Sequence, residues 1–253
     1  MGSDCPYAPI NKSNLFTLVK KKYSCLIGSY TENCENAIKF YEAKDQGETG
    51  TCYAYAIAGI ILLASKRVDG RAELDFNEIK NKIILNYGEK EGGGYVDKIL
   101  MNTKLLSEYR LRCKKITIND SIDILLKPNP RPILATFQLS GKEWNSVCNF
   151  FKIYPKGILK KEDLINYYNP DLESQSGGHA VIIMGCYTAY CQNGPFYYFN
   201  IVNSWGKSWG DKGYFNAAID ATKFTLYDVY WTESDLSISE RMHYLNKYPE
   251  EFK

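Results

Sequence analysis

Three clusters of residues in this sequence have types and spacing that could do chemistry together. The first is Gln46-Gly47-Glu48-Thr49-Gly50-Thr51-Cys52-Tyr53-Ala54. A cysteine in the first turn of an apolar helix faces the positive end of the helix dipole, which favours the nucleophilic thiolate over the thiol. The glycine-bearing loop ahead of it brings the Gln46 amide back toward the sulfur. There it can join the Cys52 backbone N–H as a donor to a developing oxyanion. The second is Gly177-Gly178-His179-Ala180-Val181-Ile182-Ile183-Met184-Gly185, a histidine opening an apolar strand behind two glycines that permit close approach. The third is Asn203-Ser204-Trp205-Gly206, followed by Trp209-Gly210 and Gly213-Tyr214. An amide oxygen there can fix an imidazole by accepting its N–H, and a tryptophan can shield that bond from water. Taken singly, each has a plain alternative: a buried small hydrophobe, a strand-end histidine, a core tryptophan turn. Only two histidines exist, His179 and His243. No motif surrounds His243, which reads as structural or surface.

Hydrophobic spacing supplies the elements that must place these residues. Thr51 is an expected N-cap for a helix from Cys52 to about Ser65 that is apolar on nearly every face and therefore central. Helical spacing also covers Phe76 to Tyr87, and resumes from Tyr95 to Leu106 after Gly92-Gly93-Gly94. Pro128-Asn129-Pro130-Arg131-Pro132 is the strongest punctuation. Beyond it the pattern predicts strands over Ile133–Leu139, His179–Thr188 and Phe196–Ser204, the last two joined by a hairpin loop at 191–195. A short amphipathic helix is expected between Ser234 and about Tyr248. Helices first and strands later argue for an α+β chain with two lobes rather than alternating βαβ units.

Composition narrows the function classes. The 253 residues allow one large domain or two small lobes. With 31 basic against 29 acidic residues and a net charge of +2, there is no electrostatic footprint for nucleic acid or an anionic membrane. The longest apolar stretch, Tyr53 to Ala64, is too short to span a bilayer. Early Asp4 and the polar run at 11–14 predict no signal peptide. None of the eight cysteines has CxxC spacing, so neither a zinc site nor a thioredoxin-like motif is indicated.

Taken together, the three clusters resemble those of papain-family (cathepsin-like) cysteine peptidases. Gln46 to Ala54 is similar to the family's Q-G-x-C-G-x-C-W-A, Gly178-His179-Ala180-Val181 to x-H-A-V, and Asn203-Ser204-Trp205-Gly206 to N-S-W-G. Gly92-Gly93-Gly94-Tyr95 resembles N-G-G-Y, and Tyr154, Gly157 and Ile158 fit a Y-x-x-G-I turn. The likeness runs over about residues 42 to 215. It implies a two-lobe papain-like fold, with a helical lobe over about 42–127, a β-barrel-like lobe over about 128–253, and the active-site cleft between them. It implies a thiol peptidase with Cys52 as nucleophile, His179 as proton partner, Asn203 holding the histidine and Gln46 in the oxyanion hole. Gly93, Gly94, Tyr95, Val96, Gly178 and Trp205 are the implied substrate contacts. The small Gly178 suggests a large apolar side chain at the second substrate position. A peptide or protein is the implied substrate, and neither metal nor other cofactor is required. Rival readings are an exopeptidase or peptide ligase of the same family, or a non-catalytic binding module on that fold.

Departures from the pattern carry expectations of their own. Thr49 stands where the family has a cysteine, and Glu91 where that cysteine's partner would be, so the bridge is absent at both ends. This leans toward a reducing compartment, against the family's lysosomal or secreted habit. Cys25 with Cys34, or Cys186 with Cys191, remain available for local bridges. Tyr53 replaces a tryptophan, and Glu48 is expected to point to solvent. Residues 1–41 exceed what precedes the glutamine in the mature family. This N-terminal extension is a candidate for packing across or beside the cleft and limiting access.

Overall fold

The structure is a computed structural model that describes residues 41–68, 70–89, 93–101, 103–127, 130–172, 174–191 and 194–247. The extension proposed over 1–41 therefore lies outside the described residues apart from Tyr41, as do Glu91, Gly92 and the cysteines at 5, 25 and 34. Helices α1 (Cys52–Lys66), α2 (Phe76–Tyr87), α3 (Val96–Leu100) and α4 (Thr103–Glu108) come first. Strand β1 (Arg112–Ile116), helix α5 (Ile118–Leu125), β2 (Ile133–Leu139) and α6 (Gly141–Ile153) follow. Then come β3 (Ile158–Leu159), α7 (Asp163–Asn166), β4 (Gly177–Cys191), β5 (Gly194–Val202), β6 (Tyr214–Ala218), β7 (Thr225–Tyr230) and α8 (Ile238–Lys247). The α+β expectation holds.

Among the described residues all the strands join one open seven-stranded sheet in the order β1-β7-β2-β4-β5-β6-β3. Its pairings are antiparallel except β3 with β6. Period-two alternation divides its side chains between two cores. Leu134, Ala180, Ile182, Val202 and Tyr227 face α1 to α4. Ile133, Ala135, Phe137, Val181, Ile183 and Ile201 face α6. The β4–β5 register shifts between Ile183 and Gly185. Beyond this bulge Cys186 joins the α6-side core although Met184 lies in the other. The bulge has flipped the face. Gly185 is needed there, since a Cβ would lie 2.8 Å from the Tyr187 ring.

Helix α1 is buried along almost its whole length, as its apolar surround requires. It lies between the first helices and the sheet. Thr51, however, makes no side-chain cap. Its hydroxyl pairs with that of Thr49 at 2.7 Å instead. The helix therefore keeps its first-turn N–H groups uncapped by Thr51, a feature that matters at the site. The expected helix from Tyr95 to Leu106 is two short helices, with Tyr95 as the N-cap residue of α3. The second half also holds a long helix that periodicity did not suggest, α6. Ser140 and Glu143 start it with a reciprocal capping box. The C-terminal helix begins at Ile238 after a 3-10 turn over Glu233–Asp235. Buried Glu240 fastens it to the helical half, accepting from Arg110 at 2.7 and 2.6 Å and from Arg71 at 3.1 Å.

Two loops are sewn together at the end of the sheet. Gln46 N–H donates to Ser204 O at 2.8 Å, and Gly206 N–H to Lys44 O at 2.9 Å, around an antiparallel bridge between Asp45 and Trp205. Behind this seam Gly213 has φ +85°, and a Cβ on it would sit 2.1 Å from that of Ala43. Its carbonyl accepts the Asn203 N–H at 2.9 Å. Replacing Gly213 by alanine is expected to lower the unfolding free energy by about 2 kcal/mol or more in urea titration, since strained left-handed backbone and a hard contact add together. An unchanged midpoint would contradict this account of the seam.

Candidate active site

His179 opens the apolar run of β4 opposite Phe137 of β2. It is buried, with its Nε2 2.7 Å from Asn203 Oδ1. The same oxygen accepts the Ser204 N–H at 2.8 Å. That second contact settles the chemistry of the first. A backbone N–H only donates, so the Asn203 atom is the carbonyl oxygen, which only accepts. Nε2 must therefore carry the hydrogen. In the neutral ring Nδ1 is then a free lone pair, able to take a proton on the opposite edge.

Three aromatic rings enclose this imidazole. Trp205 lies over it at 4.9 Å between centroids, tilted by 36°. Trp144 meets it at 5.6 Å and 85°, and Phe137 at 5.8 Å and 83°. Trp209 stands edge-on to Trp205 at 5.0 Å. The Asn203–His179 bond is thus kept from water, as the tryptophan-bearing motif suggested. Phe137 and Trp144 were not among the expected site residues. The Ser140–Glu143 capping box was the available signal for the helix that carries Trp144.

Cys52 begins α1 and is half-buried. The backbone N–H groups of Ala180, Tyr53 and Cys52 itself act to lower its thiol. Ala180 is the residue next to His179 on β4. Burial nevertheless pushes the Cys52 thiol up, and the three N–H donors only partly offset it. Burial also pushes His179 down to about 4, against the Asn203 hydrogen bond, which acts to raise it. The helix dipole suggested a ready thiolate. Desolvation instead favours the neutral form of each group taken alone. Among the described thiols, burial also drives Cys113 and Cys186 up to about 12 and raises Cys148. Among these four, backbone N–H groups act to lower Cys52 and Cys186. Cys186 is a free thiol, which overturns the suggested bridge to Cys191.

The Gln46 side chain is held at both ends. Its Oε1 accepts from the Ser204 hydroxyl at 2.5 Å, and its Nε2 donates to Thr49 O at 2.5 Å. One Nε2 hydrogen remains uncommitted by these bonds. Glu48 is exposed, as expected. Of the other expected contacts, Gly94 is pressed on the Tyr53 ring, where a Cβ would approach to 2.7 Å. Gly93 has φ +89° and open space where a side chain would be. Tyr95 is exposed beside the Lys98 amine, while Val96 is buried in the helical core. A Cβ on Gly178 would meet only the Phe137 carbonyl, at 3.8 Å.

Residues 134–229 match the family model described as papain family cysteine protease. Mouse (Mus musculus) cathepsin K is 27% identical over 192 residues, which cover 68% of this chain and 54% of cathepsin K. A probable cysteine proteinase of Invertebrate iridescent virus 6 is 33% identical over 141 residues, 49% of this chain and 30% of that protein. Among solved structures, digestive procathepsin L2 from the larval midgut of Tenebrio molitor aligns with a TM-score of 0.50 at 15% identity, covering 78% of this chain and 67% of that one. Over these residues the chain is similar to papain-family cysteine proteases, cathepsins among them. It spans about half the length of the curated relatives it matches. Among the described residues, no helix is long and apolar enough to cross a membrane.

The buried imidazole yields a sign-definite expectation. Its folded value of about 4 lies below the ordinary 6.5, so the unfolded chain binds this proton first. The stability contributed by neutral His179 is whole above about pH 6.5 and is lost as pH falls from there toward 4, at about 1.4 kcal/mol per pH unit. In Cys52→Ala, where no thiol competes for the proton, NMR titration should find the His179 ring neutral until about pH 4. A midpoint near 6.5 would show that the aromatic enclosure does not exclude water.

Proposed function

We propose that this papain-like chain hydrolyses peptide bonds through a thioester on Cys52. The observation that supports the reading is the double acceptance at Asn203 Oδ1. It fixes the hydrogen on His179 Nε2 and leaves Nδ1 as the base on the edge available to the thiol. Cys52 and His179 then act as one unit. Separately each charge is costly in this buried place, but moving the sulfur's proton to Nδ1 creates two opposite charges that stabilise one another without net charge.

The thiolate attacks the substrate carbonyl, and the carbonyl oxygen gains the negative charge. The Cys52 N–H and the remaining Gln46 Nε2 hydrogen are the donors for it. Collapse of the tetrahedral species breaks the C–N bond, and the amine leaves with the proton from His179 Nδ1. Water, deprotonated by the same nitrogen, then releases the acid and restores the thiol. Asn203 stays neutral throughout and keeps the ring in the useful tautomer. Ser204 holds the Gln46 amide with its oxygen turned away from the developing charge. The half-buried Gly93 and Gly94 offer their backbone to an extended peptide, with exposed Tyr95 beside it.

The reading is tested on a panel of fluorogenic dipeptides. Wild type should cleave them, with a preference for a large apolar residue at the second position, and EDTA should not alter the rate. Cys52→Ala should be inactive, and Gln46→Ala should lose about 10²-fold or more in kcat, the usual loss for one oxyanion donor. A Cys52→Ala protein as active as wild type would refute the mechanism. A profile dominated by acidic residues would refute the pocket assignment.

A further inference from the structure

The base in this mechanism needs its Nδ1 edge held toward the sulfur, and His179 follows two glycines that offer no side chain of their own, their backbone lying opposite Leu139 and Gln138 of β2. Neither has a positive φ, and a Cβ on either would meet its nearest neighbour only at 3.8–4.0 Å, an ordinary contact. The β2 ladder holds this backbone from one side, and no side chain of the glycines themselves adds to it. One side chain bears on that backbone and on the ring at once. Trp144 Nε1–H donates to Gly177 O at 3.0 Å, two residues before His179. Its ring meets the imidazole at 5.6 Å and 85°. It also touches Trp205, the ring that covers the imidazole, at 5.6 Å, and Phe137, the strand partner of His179, at 5.6 Å.

The mount of Trp144 is itself rigid. It stands in the first turn of α6, directly after the Ser140–Glu143 capping box. The next residue, buried Asn145, donates to Asn169 O at 2.7 Å and Leu172 O at 2.5 Å, and accepts the Asn169 N–H at 2.7 Å. A Cβ on Gly141 would lie 2.2 Å from Ser174 O, so the start of the helix is pressed against the loop that runs into β4. The helix and the strand entry thus form one block.

We propose that Trp144 is a positioning residue for His179: its indole N–H anchors the glycine pair and its ring walls the imidazole, so that the Nδ1 edge stays toward Cys52. The role rests on the peptidase reading only for its catalytic consequence. The geometry it maintains exists without turnover. Asn203 fixes the hydrogen on the far nitrogen, and Trp144 fixes the direction in which the near one points. The two restraints are of different kinds.

The test compares wild type with Trp144→Leu, which removes both restraints, and Trp144→Phe, which keeps a ring and removes the N–H. Two readouts are taken: kcat and KM on a fluorogenic dipeptide, and the exchange-protected Nε2–H proton of His179 by NMR, readily assigned because the chain has two histidines. Trp144→Leu is expected to lose about tenfold or more in kcat, the scale of a misplaced catalytic group, with KM within about twofold. Trp144→Phe should fall between. In both, the Nε2–H signal should broaden or exchange faster. Wild-type kcat in both variants, or an unaltered Nε2–H signal in both, would overturn the proposal. Should Trp144→Leu fail to fold, Trp144→Phe decides with the same two readouts. Should wild type show no turnover, the peptidase reading falls while the NMR comparison still decides this one.

Discussion

The carbonyl oxygen of Asn203 accepts two hydrogen bonds, and the order of the site follows from that. One donor is the backbone of Ser204 and the other is the ring of His179. Because the first donor cannot be an acceptor, the amide cannot be flipped, and the imidazole tautomer is decided by local geometry. The bond sits under Trp205 and beside Trp144 and Phe137, where an unmade hydrogen bond would be costly. The same enclosure makes the imidazolium expensive. A lone charge on this ring is disfavoured where it stands, and in the proposed mechanism its ionisation goes together with that of the thiol.

The rest of the fold sets the ring on one face of the sheet and the helix that begins with Cys52 on the other. His179 shares its face with the core around α6, and Cys52 starts the helix packed on the other face. The Ala180 N–H, next to His179 on β4, acts to lower the thiol. The seam between residues 44–46 and 204–206 holds the loop ahead of Cys52 against the loop after Asn203. Ser204 takes part in both relations, through its backbone to Asn203 and through its hydroxyl to Gln46. Glycine is required around this seam at Gly213, for want of space and for its positive φ. At Thr51 a hydroxyl that would ordinarily cap α1 bonds to Thr49, and the N–H groups of Cys52 and Tyr53 act to lower the thiol.

Much of this was legible before any coordinates. Short motifs named Cys52, His179, Asn203 and Gln46, and the structure brings Gln46 to Ser204 and His179 to Asn203. Helices α1 and α2 and strand β2 follow from spacing because each carries an unbroken apolar pattern. Strand β7 was missed because its Asp228 reads as a surface charge. In the fold that carboxylate is buried against the Arg131 guanidinium, at 2.6 and 2.7 Å, a partner 97 residues away. Helix α6 was missed although Ser140 and Glu143 announce its start, because strands were expected beyond the proline run. The ionisation of Cys52 misled for a deeper reason. A helix dipole is a local feature that sequence shows, whereas burial is a tertiary quantity that it does not, and here burial has the larger effect.

The central claim is that Cys52, of all the thiols, is the one activated by His179. The direct measurement is reaction with a peptidyl epoxide, followed by peptide mapping of the adduct and by its rate in His179→Ala. The account predicts a single adduct on Cys52 that forms at least about a hundredfold more slowly once the imidazole is gone. Labelling of Cys113 or Cys148 in its place, or an equal rate on Cys52 without the ring, would contradict it.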